Sequence, residues 1–151
     1  DRTVARVNRP QPVEGLVAAT TPRTWLFDPS ISVADDIRDT QGQILVAAGT
    51  RVNPLDTVPL RQPLLFFNGD DADERRWAMA ERQKGAAKLI LVKGAPLAVM
   101  KAEQTRVYFD QSGLLVRRFG IKATPARVIQ QARQLQVSEV ALKRGMPGAR
   151  P

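Results

Sequence analysis

Two short apolar runs constrain the fold of this chain more than any other feature of its sequence. Residues 64–67 and 88–92 are almost wholly apolar, which is typical of strands that are buried on both faces of a sheet. Helical segments follow each of them, at residues 72–84 and 96–103, and the second begins with a proline, which suits a first helical position. Strands that alternate with helices predict a sheet whose strands are joined by helical crossovers.

The same alternation continues to about residue 142. The further predicted elements are a strand at 106–110, a short helix at 113–119 and two strands at 126–130 and 136–142. The element order from residue 63 is therefore β-α-β-α-β-α-β-β. We expect an α/β domain over residues 63–142, with a mainly parallel sheet that ends in an antiparallel hairpin.

A β-hairpin region is predicted ahead of this domain, over residues 24–62. Residues 25–27 form a short apolar strand, and residues 31–38 and 43–47 flank the sequence DTQG at 39–42. The glycine of that sequence suits the left-handed backbone that a short turn requires. A hairpin closed by residues 39–42 is therefore expected here.

The two ends of the chain differ in composition from the part between them. Residues 1–23 contain three prolines and show no helix or strand period, so we expect an extended tether. Residues 143–151 contain two glycines, two prolines and three basic residues. We expect a flexible basic tail there.

Much of the charge lies in these ends. The chain has 23 Lys and Arg against 15 Asp and Glu, a net charge of +8, and more than half of that excess lies in residues 1–23 and 143–151. Proteins that bind nucleic acid usually gather basic groups on the folded body, with aromatic side chains that stack on bases. Aromatic residues make up 5% of this chain, so nucleic acid is not an expected ligand.

The chain contains no cysteine and no histidine. These two absences exclude thiol redox chemistry, histidine general bases and Cys/His zinc sites. Lys93 could be a desolvated catalytic amine, but the sequence shows no base or electrophile to act with it, so an exposed turn residue is the favoured interpretation. We expect no enzymatic activity, no catalytic residues, no metal and no cofactor.

Four acidic residues, Asp70, Asp71, Asp73 and Glu74, surround the start of the first predicted helix. They could bind a divalent cation, but a calcium site needs about six to eight oxygen ligands in a shaped loop, and this spacing does not provide one. The favoured alternative is helix capping. Asp71 is the expected N-cap residue, with Glu74 three positions later and the carboxylates at the positive end of the helix dipole.

No segment of the sequence is predicted to cross a membrane. The longest apolar-rich stretch, residues 88–100, is interrupted by Lys93, Gly94 and Pro96 and is shorter than the ~20 residues that a spanning helix needs. The first residues lack the charged start and apolar run of a secretory signal, and the chain begins without Met. We therefore expect a mature or truncated product.

The segment from residue 108 to residue 125 resembles part of the thioredoxin fold. In that fold a strand ending in Asp-Gln, as at 110–111 here, leads through a short helix to an aromatic-Gly-Ile sequence, as at 119–121, and then to a cis proline, whose position Pro125 takes. The resemblance implies a thioredoxin-like mixed sheet. It places the usual cysteine pair at residues 94–97, which hold no thiol, so it implies the fold without the redox activity.

The same resemblance implies a binding surface. In thioredoxin-like proteins the cis-proline loop faces the start of the second helix and substrates lie across it, so a protein without thiols can use this surface to bind a partner. A loop ordered only by packing is an equal alternative. The candidate partner-binding residues are Lys93, Gly94, Ala95, Pro96, Thr124 and Pro125.

Motifs between residues 26 and 142 resemble the TraW family of F-type conjugative type IV secretion systems. They are LFDPS at 26–30, DIRD at 36–39, GTRVNPL at 49–55, PL at 59–60, LFFNGD at 65–70 and the segment 108–125. The resemblance implies a periplasmic, non-enzymatic protein that is needed for pilus assembly and binds a TrbC-like transfer protein, with other envelope components of the apparatus as further candidate partners. The signal sequence that TraW proteins carry is not present in this chain.

Three other functions stay open. A redox-inactive thioredoxin-like chaperone would use the same surface and bind many unfolded envelope proteins weakly. A DNA-contacting transfer component would bind with a steep dependence on salt. An enzyme built on lysine or carboxylates would need convergent polar groups in one pocket.

Overall fold

Twelve strands and three α-helices make up the described part of the protein, which is residues 9–144 of a computed structural model. The strands are β1 (Val17–Ala18), β2 (Arg23–Phe27), β3 (Ile31–Ser32), β4 (Ile37–Arg38), β5 (Ile44–Val46), β6 (Arg51–Val52), β7 (Leu64–Asn68), β8 (Lys88–Lys93), β9 (Val107–Phe109), β10 (Ala123–Thr124), β11 (Ala126–Gln131) and β12 (Gln134–Glu139). The helices are α1 (Ala72–Lys84), α2 (Pro96–Glu103) and α3 (Leu114–Phe119). Short 3₁₀ turns lie at Pro54–Asp56 and Gln111–Gly113.

Six of these strands form the central sheet, in the order β2-β12-β11-β7-β8-β9. The expected α/β class is confirmed, and so is the element order from residue 63, apart from the added two-residue strand β10. The expectation of a mainly parallel sheet is wrong, because only the β7–β8 and β8–β9 pairings in this sheet of the described residues are parallel. β11 and β12 form a hairpin beside β7, and β2 then adds a third antiparallel pairing. The thioredoxin-like topology stays a prediction.

Strand β7 is buried on both faces of the sheet, as its continuous apolar run predicts. Side chains alternate along a strand, so Phe66 packs in one core with Phe119 of α3, while Leu65 and Phe67 pack in a second core with Ala78 of α1. The sheet is therefore the middle layer of three, with α3 on one face and α1 and α2 on the other.

Helix α1 begins at the residue that the sequence predicts. The Oδ1 atom of Asp71 accepts hydrogen bonds from the amides of Asp73 at 2.9 Å and Glu74 at 3.2 Å. One part of the expected capping box differs. The Glu74 carboxylate accepts from the amide of Asn68 at 2.9 Å, because the amide of Asp71 is already bonded to the carbonyl oxygen of Asn68. Glu74 thereby ties the helix to the end of β7.

The predicted hairpin is present as part of a longer two-stranded arm. β4 pairs with β5 around the turn at residues 39–42, and β3 pairs with β6 behind them. No residue from 31 to 52 is buried. The first strand of the predicted region, β2, lies elsewhere, because it pairs with β12 at the edge of the central sheet. The predicted hairpin region therefore contributes one strand, β2, to the sheet of the domain that follows it.

The segment predicted as a tether over residues 1–23 differs from that expectation where it is described. β1 runs parallel to β10, and Val13 and Leu16 pack against the core that holds Phe66. The apolar residues of this segment show no helical or strand periodicity because the segment pairs with a short stretch of backbone and does not cover a whole face of the sheet. Residues 1–8 and most of the predicted basic tail, residues 145–151, lie outside the described residues.

None of the helices between residues 9 and 144 combines the length and the apolar content that crossing a membrane requires.

Candidate functional site

Thr124, the last residue of β10, and Pro125 connect β10 to β11, and both residues are buried; this connection is called the Thr124 loop. The peptide bond between them is cis, as the resemblance implies. The side chain of Thr124 lies close enough to the carboxylate of Glu74, near the start of α1, to favour the charged form of that group. The loop therefore lies beside the acidic beginning of that helix.

Lys93, Gly94, Ala95 and Pro96 lie where β8 ends and α2 begins. Lys93 is exposed, as predicted, whereas Gly94 is buried and has a φ of +112°. A Cβ atom at Gly94 would lie 3.2 Å from the Cα of Gly69, so both the backbone conformation and the close approach require glycine. Ala95 is the N-cap residue of α2, and Pro96 is its first residue.

The two predicted halves of the site are joined by a third element, the turn of residues 68–71 between β7 and α1. Gly94 packs against Gly69 of this turn, and Thr124 lies near Glu74 just beyond it. From the sequence, helix capping was the favoured role for the acidic residues at the end of this turn. The position of this turn directly after a parallel strand indicates a role in the site, since binding sites in α/β folds form at the carboxyl ends of the strands.

The chain's own N-terminal segment lies across this carboxyl edge of the sheet. The amide of Ala19 donates to the carbonyl oxygen of Thr124 at 2.8 Å, that of Val17 to Lys122 at 3.3 Å, and that of Val13 to Val92 at 2.9 Å. Ala19 is 4% exposed. The backbone beside Thr124, which the sequence analysis proposed as a partner-binding surface, is therefore covered by residues 13–19.

Arginines from both ends of the described chain meet the acidic start of α1. Arg9 contacts Asp70 at 2.8 Å. Arg144 contacts Asp71 at 2.6 Å, Glu74 at 3.2 Å and Asp73 at 3.6 Å. The acidic residues thus serve as anchors for the two terminal segments as well as helix caps.

Glu74 is the buried member of this acidic group, with 1% of its surface exposed. Burial raises the pKa of its carboxyl above the ordinary value, against the opposing effects of the hydrogen bonds with Asn68 and Thr124 and of the Arg144 guanidinium. A buried carboxylate is stable only when its oxygens are paired. Arg144 supplies the opposite charge here.

A second buried carboxylate, Glu139, holds the other side of the Thr124 loop. It is 3% exposed and accepts hydrogen bonds from Nε and Nη2 of Arg23 at 2.8 and 3.0 Å. It also accepts from the amides of Lys122 at 2.7 Å and Ala123 at 3.0 Å. Burial favours the neutral acid, but these hydrogen bonds prevail and lower the pKa of Glu139.

Sequence reasoning did not single out Glu139. The available signal is its alternation with Leu135 and Val137 in β12, which puts a charged residue on the buried face of a strand. Such a residue requires partners. Its partners come from β2 and from the backbone before β10, which only the fold brings together.

The polar groups of this surface are paired within the chain. The carbonyl oxygens of Lys122 and Thr124 accept hydrogen bonds from Val17 and Ala19, and the two buried carboxylates are paired with arginines. Within residues 9–144, no group of three or more acidic side chains is arranged to hold a metal ion.

Comparison with known proteins relates the chain to the family that its motifs resemble. It is 40% identical over 129 residues to Protein TraW of Escherichia coli (strain K12). The match covers 85% of this chain and 61% of that protein, so the chain spans less than two thirds of the length of this curated relative. No family model and no solved structure matches the chain. The chain is therefore a homologue of TraW, as the motifs in its sequence predict.

Proposed function

We propose that this chain is a non-enzymatic, periplasmic component of an F-type conjugative transfer apparatus, and that it serves pilus assembly by binding a TrbC-like partner protein. The observation that carries the proposal is the 40% identity to TraW over 129 residues. Because the chain spans 61% of that relative, the proposal concerns the part of such a protein that this sequence represents.

The chemistry of the chain supports a role in binding. The sequence has no cysteine or histidine, and the buried carboxylates at the site are paired with arginines and backbone amides. A stable complex with one partner requires about 800 Å² of contact on each side. Exposed apolar side chains on the β3–β6 arm, such as Ile44 and Leu45, are available for such contact.

Genetic deletion tests the role in transfer. Cells that carry the conjugative element but lack this protein should lose pili and DNA transfer, and a plasmid copy of the wild-type chain, fused to an export signal and to any further segments that the native gene encodes, should restore both. Lys101→Ala, a change at an exposed position of α2, is the matched control and should restore transfer fully. Undiminished transfer by the deletion strain would overturn the proposal.

Affinity purification with crosslinking tests the partner. Recovery of a TrbC-like protein in a fixed ratio to the chain is the expected result. A broad mixture of envelope proteins instead would favour the redox-inactive chaperone. Retention of DNA that falls steeply with salt would favour a DNA-contacting component.

A further inference from the structure

We propose that residues 9–19 are a strap that closes the groove beside Thr124 in the free protein, and that an extended strand of a partner protein binds in this groove by displacing the strap. The inference rests on the proposed function only for the existence of such a partner. The strap itself is a property of the isolated chain.

The groove has the features of a strand-binding edge. Its floor is the backbone of residues 122–124, whose carbonyl oxygens at Lys122 and Thr124 accept hydrogen bonds from the strap. With the strap removed, these acceptors would form an open edge, which is a ready template for pairing with another chain. Partner peptides commonly bind proteins by adding a strand to such an edge.

The floor of the groove is held independently of the strap. Glu139 accepts hydrogen bonds from the amides of Lys122 and Ala123, and Arg23 fixes its carboxylate. The side chain of Thr124 also lies near the Glu74 carboxylate. These contacts come from β12, β2 and α1, so opening the strap leaves the groove intact.

The strap is held much less firmly than its floor. Its pairing with β10 is two residues long, and beyond that pairing the amides of Val13, Val17 and Ala19 donate to carbonyl oxygens of the sheet edge. Val17 is 66% exposed, and Ala19 is the buried residue of the strap. Segments with few buried side chains and exposed backbone bonds open at a small fraction of the free energy of global unfolding.

The strap also shows which chemistry the groove accepts. Ala19 is buried beside Thr124, and Val13 and Leu16 pack against the apolar core. Arg9 pairs with Asp70 at the far end. The displacing strand should therefore be extended, with a small residue at one end, spaced apolar residues, and a basic residue at the other end.

Hydrogen exchange of the full-length chain is the first test. The amides of Val13, Val17 and Ala19 should exchange at least tenfold faster than those of Leu65 and Phe66 in β7, because the strap opens without global unfolding. Exchange of both sets at one common rate would overturn the proposal.

A reversible disulfide is the second test. The chain has no cysteine of its own that could form a competing disulfide. Val17 and Ala123 are directly paired, so the double variant Val17→Cys and Ala123→Cys should lock the strap when oxidised. The matched control, Ile31→Cys with Val52→Cys, joins another directly paired position and locks the β3–β6 arm instead. The probe is a fluorescent peptide of residues 9–20, added to full-length protein.

The strap competes with the probe at a high effective concentration, so both disulfide pairs are placed in a chain that carries Ala19→Pro. This change removes the amide that donates to Thr124. If Ala19→Pro lowers stability too far, Arg9→Ala, which removes an exposed ion pair, is used in its place to weaken the strap. The probe should bind the reduced strap-cysteine protein and the oxidised control with similar affinity. Its affinity for the oxidised strap-cysteine protein should be at least tenfold lower.

Equal binding to the locked and unlocked forms would show that the probe binds elsewhere, and absence of binding to all forms would show that the strap is a permanent part of the fold. Either result overturns the proposal. Neither bears on the deletion experiment, so failure of the strap and failure of the transfer role are distinguishable.

Discussion

The amide of Ala19 donates a 2.8 Å hydrogen bond to the carbonyl oxygen of Thr124. This bond joins the N-terminal segment to the loop that precedes β11, at the carboxyl edge of the parallel strands. The backbone beside Thr124, which is one part of the surface that the resemblance implied for partner binding, is therefore covered by the protein's own chain. Access to it depends on how firmly residues 13–19 are held.

Glu139 should be the polar residue whose removal most destabilises the Thr124 loop. Glu139→Leu deletes the acceptor for the amides of Lys122 and Ala123 and leaves the buried amide of Ala123 without a partner. We expect the free energy of unfolding, measured in urea, to fall by about 3 kcal/mol. Ser138→Ala, on the neighbouring position of β12, is the control and should change it by less than about 0.5 kcal/mol. Equal effects of the two changes would contradict the assigned role.

The contribution of Glu139 should disappear in acid. Its pKa is lowered in the folded protein, because hydrogen bonds from Arg23, Lys122 and Ala123 outweigh the opposing effect of burial. The stabilisation is therefore present above the unfolded value of about 4.3 and is lost as the pH falls through the folded pKa. The difference in unfolding free energy between wild type and Glu139→Gln should shrink between pH 5 and pH 3. A difference that stays constant over that range would refute the assignment.

Glu74 should show the opposite dependence on pH. Burial raises the pKa of its carboxyl, so ionisation of Glu74 opposes folding as the pH rises above about 4.3. Relative to wild type, Glu74→Gln should therefore become more stable between pH 4 and pH 7. Urea unfolding at several pH values measures both effects, with Glu103→Gln at a half-exposed ion pair as the control. If Glu74→Gln instead became less stable relative to wild type as the pH rises, as expected for Glu139→Gln, the role of Glu74 would be contradicted.

Gly94 and Gly85 should respond differently to the same substitution. Gly94→Ala places a Cβ 3.2 Å from the Cα of Gly69 at a φ of +112°, and we expect a loss of about 1–3 kcal/mol of stability. Gly85 has an extended φ of 169°, and a Cβ there would meet nothing within 4 Å. Gly85→Ala should be neutral or stabilise by about 0.5 kcal/mol. Thermal unfolding of the two variants compares them directly.

Arg144 should stabilise the start of α1 through charge and shape together. Arg144→Ala removes the guanidinium from Asp71 and from buried Glu74, and we expect a loss of about 1–2 kcal/mol. Arg144→Lys should recover only part of it, since an ammonium group cannot contact both carboxylates as a planar guanidinium does. Lys143→Ala, at the exposed neighbouring position, is the control. An effect of Arg144→Ala no larger than that of Lys143→Ala would show that the contact does not hold the segment.

Local sequence patterns were sufficient to predict most of the helices and strands. The apolar run of residues 64–67, the N-cap at Asp71 and the proline at position 96 each carry their cause within a few residues, so α1 and α2 begin where the sequence predicts. The direction of the final strands relative to β7 could not be predicted from local patterns. Whether β11 runs parallel or antiparallel to β7 depends on the path of the chain through residues 120–125, which no local periodicity encodes.

The candidate site was predicted only in part for the same reason. Thr124, Pro125 and Gly94 were found from the resemblance, but the turn at residues 68–71 that connects them and the Glu139 carboxylate that holds them were not. Glu139 acquires its role from Arg23 and from the amide of Lys122, which are far from it in the chain.

The sequence by itself determined the similarity to TraW, the α/β class, the positions of the helices and the absence of cysteine and histidine. Each of these follows from composition, motifs or periodicity, which are properties of short stretches of chain. Tertiary structure alone decided that the N-terminal segment lies in the groove beside Thr124 and that arginines from both ends pair with the start of α1. Such contacts join residues far apart in the chain, and their free energy depends on distances and burial that only the folded backbone sets.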